Sequence, residues 1–334
     1  MAASFADSFE ELVQNVAGYV LGANKTVRLA LVCLIAEGHL LIEGVPGVAK
    51  TSLAKAIAQS VGGLSHRRIQ FTPDLLPSDV TGARMPQEGG VLEFEPGPVF
   101  CNVLVADEIN RASPKTQSAL LEVMAERRVT TDGVTRAVGS PFLCIATQNP
   151  IEYQGTYTLP EAQLDRFMMR LTMGYPETAD ECRVVAGALG RPAAVDDTTP
   201  DGPDGARLVG PAFGRERLVE LIRHAHGIYV AGTLQRYVVD LVAQTRDAKE
   251  DGVLLGASPR AAIALAAAAR AHAASKGGDF TTAQDVKEVA IPVLAHRLIM
   301  DADAWAPSDA AADFVQAILD RTQPPKESEV ERPR

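Results

Sequence analysis

The segment Gly44-Val45-Pro46-Gly47-Val48-Ala49-Lys50-Thr51 constrains this chain more than any other. It follows a short apolar run, His39–Glu43 (HLLIE), that reads as a buried strand. It opens Thr51–Val61 (TSLAKAIAQSV), which reads as a helix. A glycine-containing loop between a strand and a helix lets backbone N–H groups approach an anion, and the helix N-terminus favours negative charge. In that frame Lys50 reaches the β- and γ-phosphates of a nucleotide, and the Thr51 hydroxyl ligates magnesium. Ala49 stands where a second glycine is usual, and alanine is the smallest replacement. The competing reading is a Gly/Pro turn that happens to precede Lys-Thr; the strand–loop–helix context favours the phosphate loop.

Further along, Val103-Leu104-Val105-Ala106-Asp107-Glu108 is an apolar strand ending in two carboxylates. Asp107 is placed to hold magnesium through its waters, because this small cation keeps part of its hydration shell. Glu108 is placed to polarise an attacking water as general base. By itself such a pattern is equally a strand with an acidic end at the surface; the phosphate loop upstream decides between them. The strand Phe142–Thr147 leads into Gln148-Asn149-Pro150, where Asn149 either orients the water or simply forms a turn before proline. Arg166, in Leu159–Phe167 (LPEAQLDRF), fits an arginine finger acting on a neighbouring subunit's nucleotide. Such a finger contributes ~10³–10⁵ in rate; the plainer reading is a salt bridge with Asp165. Arg260, in Ser258-Pro259-Arg260, sits in the first turn of a helix, where the dipole disfavours cations. Its long arm therefore either reaches an anion or is solvated.

Short strands alternating with helices over the first 190 residues argue for a parallel sheet covered on both faces. The first helix is expected over 8–36. Segments 81–98, with Gly89-Gly90, and 128–140, with Asp132-Gly133, read as hairpin insertions. Residues 191–209 are expected to be a linker, since 191–206 is rich in Pro, Asp and Gly. A second, all-helical unit is expected over 210–322, with helices near 213–228, 232–248, 258–275, 282–299 and 308–321. The polar, proline-containing end, 323–334, is expected to be disordered.

No uncharged apolar run reaches the ~18–20 residues that span a bilayer. The acidic, amphipathic start does not resemble a signal peptide, so the expectation is a cytoplasmic protein without membrane insertion. The net charge of −10 gives no support to nucleic acid as a partner. None of the four cysteines forms a CxxC pair, and Cys33, Cys101 and Cys144 lie in or beside apolar runs as small hydrophobes. His224 and His226, on a helix, point to different faces and make a poor metal pair.

In their order these motifs resemble an AAA+ ATPase, and in detail the MoxR family. The matching stretches are Glu43–Thr51 (EGVPGVAKT), Gln70–Asp79 (QFTPDLLPSD), Asp107–Glu122 (DEINRASPKTQSALLE), Ala146–Glu152 (ATQNPIE) and Leu159–Phe167. The resemblance runs from about Ala17 to Arg321. It implies an α/β fold: a P-loop AAA+ core with a five-stranded parallel sheet flanked by helices, then a small all-helical lid. It implies ATP or ADP with Mg²⁺ as the ligands, the nucleotide meeting Val20 and Gly22 at the adenine, the loop from Gly44 to Ser52 (Gly44, Val45, Pro46, Gly47, Val48, Ala49, Lys50, Thr51, Ser52), and Asp107. It implies sensor 1 for Asn149, arginine finger for Arg166, sensor 2 for Arg260 and an interface contribution from Arg111. The insertions resemble pore-facing hairpins of a ring, usually a hexamer. A protein with a von Willebrand factor A domain and a client protein are the partners this family implies, with chaperone-like remodelling as the outcome. Two rivals stand beside it. A magnesium-chelatase-like or helicase-like motor shares the hairpins, but a helicase predicts basic tips and PQEGGVLEFEPG is acidic. A nucleotide-binding scaffold without turnover predicts loss of Glu108 or Arg166, and both are present.

Overall fold

A computed structural model describes residues 4–44, 48–86, 92–149, 157, 159–189, 210–248, 251–301 and 310–331. Val45, Pro46 and Gly47, the Gly89-Gly90 tip, the 191–209 linker and the Pro307-Ser308 helix start lie outside the described residues.

Five strands form the central sheet: β1 (Leu40–Gly44), β2 (His66–Gln70), β3 (Val103–Asp107), β4 (Leu143–Gln148) and β5 (Met169–Met173). Their order is β5-β1-β4-β3-β2, and every pairing is parallel. The register sets Gly44 beside Met173 and Gln70 beside Asp107, so the C-terminal strand ends finish along one edge. Side chains alternate across a strand. Leu40, Ile42, Val103, Val105, Leu143 and Ile145 join one apolar cluster, while Leu41, Leu104, Ala106, Cys144 and Ala146 join another. That alternation with both sets buried explains why these runs read as continuously apolar.

The first cluster is shared by α1 (Phe5–Tyr19), α2 (Asn24–Ile35), α3 (Lys50–Gln59) and most of the second unit; the second is closed by α4 (Pro114–Glu126). Helix α1 begins at Ser4, whose hydroxyl accepts from Asp7 N at 3.1 Å while Asp7 accepts from Ser4 N, a reciprocal cap. The single helix expected over 8–36 is two helices. Gly22 takes φ +75, a conformation that ends a helix, and the resulting turn enters the site. Helix α4 starts as expected, with Ser113 capping and Pro114 in its first position.

Both expected hairpins are present. Gly82–Pro86 pairs antiparallel with Leu92–Pro96, and Arg128–Thr131 with Val134–Ala137. Asp132 and Gly133 have φ +53 and +74, the two positive angles that a tight Asp-Gly hairpin turn requires. The hairpins meet through the Arg84–Asp132 ion pair at 3.2 Å and the Arg136 guanidinium, 3.9 Å from the Phe94 ring centre.

After α5 (Thr178–Leu189) comes the lid: α6 (Arg215–Gly227), α7 (Gly232–Gln244), α8 (Pro259–Ser275), α9 (Ala283–Leu294) and α10 (Ala310–Arg321). The lid differs from an all-helical unit in two respects. Val253–Leu255 pairs antiparallel with Ile299–Met300, and Phe213–Gly214, expected to open a helix, pairs parallel with Val61–Gly62. The helix expected to run to 299 carries Pro292 inside it and stops at Leu294, and the chain then turns tightly at Ala295–Arg297. This turn buries Arg297 against the core: its Nε donates to Asp165 Oδ1 at 2.8 Å and its Nη2 to Phe167 O at 2.7 Å. The tail is likewise not wholly disordered. Glu327–Val330 forms a helical turn, Val330 is buried in the first cluster, and Thr233 Oγ1 donates to Glu329 O at 2.9 Å.

Candidate active site

A cleft of about 690 Å³ lies over the C-terminal edge of the sheet. Its walls come from the α1–α2 turn, the start of α3, the ends of β3 and β4, and the segment Met173–Pro176 after β5. Val20 and Gly22 line it from one side. A Cβ on Gly22 would sit 3.0 Å from Asp180 Oδ2, so the turn is closed against α5. Val48, Ala49, Lys50, Thr51 and Ser52 line the floor. Gly44 is packed so that a Cβ would meet Met173 O at 2.5 Å, which only glycine tolerates. Ala49 takes φ +39 and ψ +26, left-handed, immediately before α3. This backbone explains why a glycine is usual at that position.

Lys50 Nζ donates to Gly44 O at 2.6 Å and to Gln148 O at 3.4 Å, which holds the ammonium across the base of its own loop. Thr51 Oγ1 lies 3.2 Å from each Asp107 oxygen. Thr147 Oγ1 donates to Asp107 Oδ1 at 3.1 Å and accepts from Glu108 N at 3.0 Å, so one hydroxyl fixes both acidic residues. Asp107 is buried, and Arg68 Nε donates to its Oδ2 at 2.7 Å. Arg68 Nη2 reaches Gln70 Oε1 at 3.3 Å, and Gln70 Nε2 donates to Glu108 Oε2 at 2.7 Å. Arg111 Nη1 meets the same Glu108 oxygen at 2.9 Å. Two adjacent carboxylates are thus joined in one network and offset by the guanidiniums of Arg68 and Arg111. Glu108 has φ +55, a left-handed turn that swings it off the end of β3. Asn149 is buried and lines the cleft beside these groups.

Two expected residues are elsewhere. Arg166 does not line this chain's own cleft; it is half-buried and its Nη1 donates to Leu121 O at 2.9 Å. Its plainer reading, a bridge to Asp165, gives way to another pairing: Asp165 takes Arg297 at 2.8 Å and Ser258 Oγ at 2.9 Å. Arg260 is exposed at the start of α8 and is not part of the cleft lining; its backbone N–H caps onto Ser258 Oγ at 3.1 Å. Arg111, expected at an interface, meets Glu108 of its own chain. Burial raises the Cys33 and Cys144 thiols far above their usual range and pushes Cys101 up to about 12, as befits core residues rather than nucleophiles.

Arg68, Gln70 and Thr147 belong to the site and escaped sequence reading. A signal existed: Arg68 and Gln70 are two apart on a strand and so share a direction, and Thr147 is the first polar residue at the end of an apolar strand. The decisive fact, that β2 lies next to β3, is topological and has no local signature.

A model of the ATPase family associated with various cellular activities matches residues 39–169, and an AAA lid domain model matches 246–318. The uncharacterized protein YeaC of Bacillus subtilis is 40% identical over 315 residues, covering 94% of this chain and 93% of that one. Chaperone MoxR1 of Mycobacterium tuberculosis is 42% identical over 320 residues, covering 93% and 81%. The crystal structure of an ATPase-class protein from Cytophaga hutchinsonii superposes with a TM-score of 0.84 at 35% identity, covering 96% of both chains.

Proposed function

Because the chain belongs to the MoxR family of AAA+ ATPases, we propose that it hydrolyses ATP with magnesium and uses the cycle to remodel a client protein. The observation that carries this reading is the convergence of Lys50 and Thr51, at the start of α3, with Asp107 and Glu108, at the end of β3, inside one cleft.

The residues fit the ligands. The cleft is apolar at Val20 and Val48, suited to a base, and cationic at Lys50, suited to phosphates. Thr51 Oγ1 and the Asp107 carboxylate form a hard-oxygen pair that would hold magnesium directly or through water. Held there, the ion would supply positive charge to offset the phosphate oxygens. Lys50 adds a second positive charge on the same phosphates. Gln70 and Arg111 fix Glu108 by Oε2, so Oε1 is the oxygen that neither of them occupies and the one to take a proton from the attacking water. Asn149 orients that water from the end of β4. Thr147 holds the two carboxylates in register throughout.

Arg166 lies outside its own cleft, which is consistent with a finger that serves a neighbour's nucleotide, and so with a ring, hexameric in this reading. Arg260 is exposed, so a sensor role requires the lid to close on the core. The chaperone role is supported by the name of the Mycobacterium relative; a von Willebrand factor A domain partner and a client are proposed with it.

The test is steady-state ATP hydrolysis with magnesium as protein concentration rises. Specific activity should climb with concentration in the wild type and vanish in Glu108→Gln, which still binds ATP. Arg166→Ala should bind ATP yet lose the climb. Turnover that persists in Glu108→Gln would remove this site from the reaction.

A further inference from the structure

Asp107 is buried, and its two oxygens already have partners. Oδ1 accepts from Thr147 Oγ1 at 3.1 Å, and Thr51 Oγ1 is 3.2 Å from either oxygen. Oδ2 is paired with a full cation, the Arg68 guanidinium at 2.7 Å. Arg68 comes from the neighbouring edge strand β2, lines the cleft, and is 58% exposed along its side chain. A positive charge of protein origin therefore stands on the carboxylate that, with Thr51, makes the hard-oxygen pair.

We propose that Arg68 and the divalent ion compete for Asp107, and that Arg68 thereby sets the magnesium concentration at which nucleotide is held tightly. The inference rests on Thr51 and Asp107 being the residues that hold the metal. Its physics is simple. A divalent ion on Asp107 repels a guanidinium within hydrogen-bond distance of the same oxygen, and the charge-assisted bond between them must be given up. Arg68 is the partner able to leave, because its exposed arm swings into water at little cost, whereas Asp107 is fixed by two threonines. Until displaced, Arg68 keeps a buried carboxylate from standing uncompensated.

Two other roles predict different results. If Arg68 contacts the phosphates, its loss weakens nucleotide binding with metal as much as without it. If Arg68 only supports the fold, its loss leaves the metal dependence unmoved.

The experiment is binding of a fluorescent ADP analogue to the full chain, titrated with Mg²⁺ from EDTA upward, for the wild type, Arg68→Gln and Arg68→Lys. Thermal melting checks that the variants fold. In Arg68→Gln the Mg²⁺ concentration for half-maximal tightening should fall by about tenfold, the equivalent of one charge-assisted hydrogen bond. Arg68→Lys, which keeps the cation, should stay near the wild type, in EDTA as well. An unchanged or higher Mg²⁺ requirement in Arg68→Gln overturns the competition. So does a loss of affinity in Arg68→Gln that is as large at saturating Mg²⁺ as in EDTA, which instead identifies a phosphate contact. Wild-type binding that ignores Mg²⁺ altogether defeats the metal assignment of Thr51 and Asp107 itself, a failure distinct from the first two.

Discussion

His39, at the foot of β1, makes a measurable prediction about acid stability. The ring is buried between elements of the core: Nδ1 accepts from Cys144 N at 3.0 Å, and Nε2 lies 3.0 Å from Met124 O. A backbone N–H on one nitrogen and a carbonyl on the other fix the neutral Nε2–H tautomer. Protonating Nδ1 would break the bond to Cys144 and place a charge in the core. Burial is the main cause that lowers the His39 pKa from 6.5 to about 4, outweighing the opposite pull of the Met124 carbonyl. The unfolded chain takes up this proton below pH ~6.5, and the folded chain does so only near 4. Stability is therefore whole above the unfolded value and is lost as pH falls through this window. Integrating the linkage between pH 7 and pH 5 gives a loss of about 2 kcal/mol from this one ring. The assay is urea unfolding at both pH values for the wild type and His39→Gln. The variant is expected to be less stable at pH 7, but its further loss on going to pH 5 should be smaller by about 2 kcal/mol. Since other titrating groups cancel in that comparison, equal losses in the two proteins would refute the argument.

Three further outcomes follow from the site and its supports. Thr147→Val keeps the shape but removes the hydroxyl that holds Asp107 and Glu108; ATP binding should persist while turnover falls on the order of tenfold, the equivalent of about one hydrogen bond. Ala49→Gly relieves a left-handed alanine and should raise stability by about 1 kcal/mol, read as a higher melting temperature with nucleotide affinity kept or improved. Asp165→Ala strands the buried Arg297 and should cost about 3 kcal/mol in urea unfolding, whereas Ser258→Ala, which leaves that ion pair in place, should cost far less.

What could be read in the sequence was what local pattern encodes. The strands before Lys50 and up to Asp107 announced themselves by length and apolarity, and Asp132-Gly133 by its need for two positive φ angles. The α1–α2 break was missed because Val20–Ala23 continues the apolar pattern; only the φ of Gly22 reveals the turn. The lid strand pair was missed because Val253–Leu255 and Ile299–Met300 are short and far apart along the chain. Lys50, Thr51, Asp107, Glu108 and Asn149 were found because motif and spacing tie them together, and they do share one cleft. Arg68 and Gln70 were not, since their role depends on which strand lies beside β3. Arg166 and Arg260 were flagged by their motifs, yet a single chain places neither in the cleft.

The apolar cluster that β1, β3 and β4 share with the lid helices has a consequence for cooperativity. Leu265, Val289 and Phe314 belong to the same continuous core as Leu12, Leu31 and Ile145. The lid and one side of the sheet therefore share one continuous apolar core, while the face sealed by α4 has its own. Removing the lid would bare the apolar surface of α1, α2 and β5 on which it packs. A fragment ending before the linker should be aggregation-prone rather than a minimal folded core, and amides of α8 and of β4 should lose protection from exchange together.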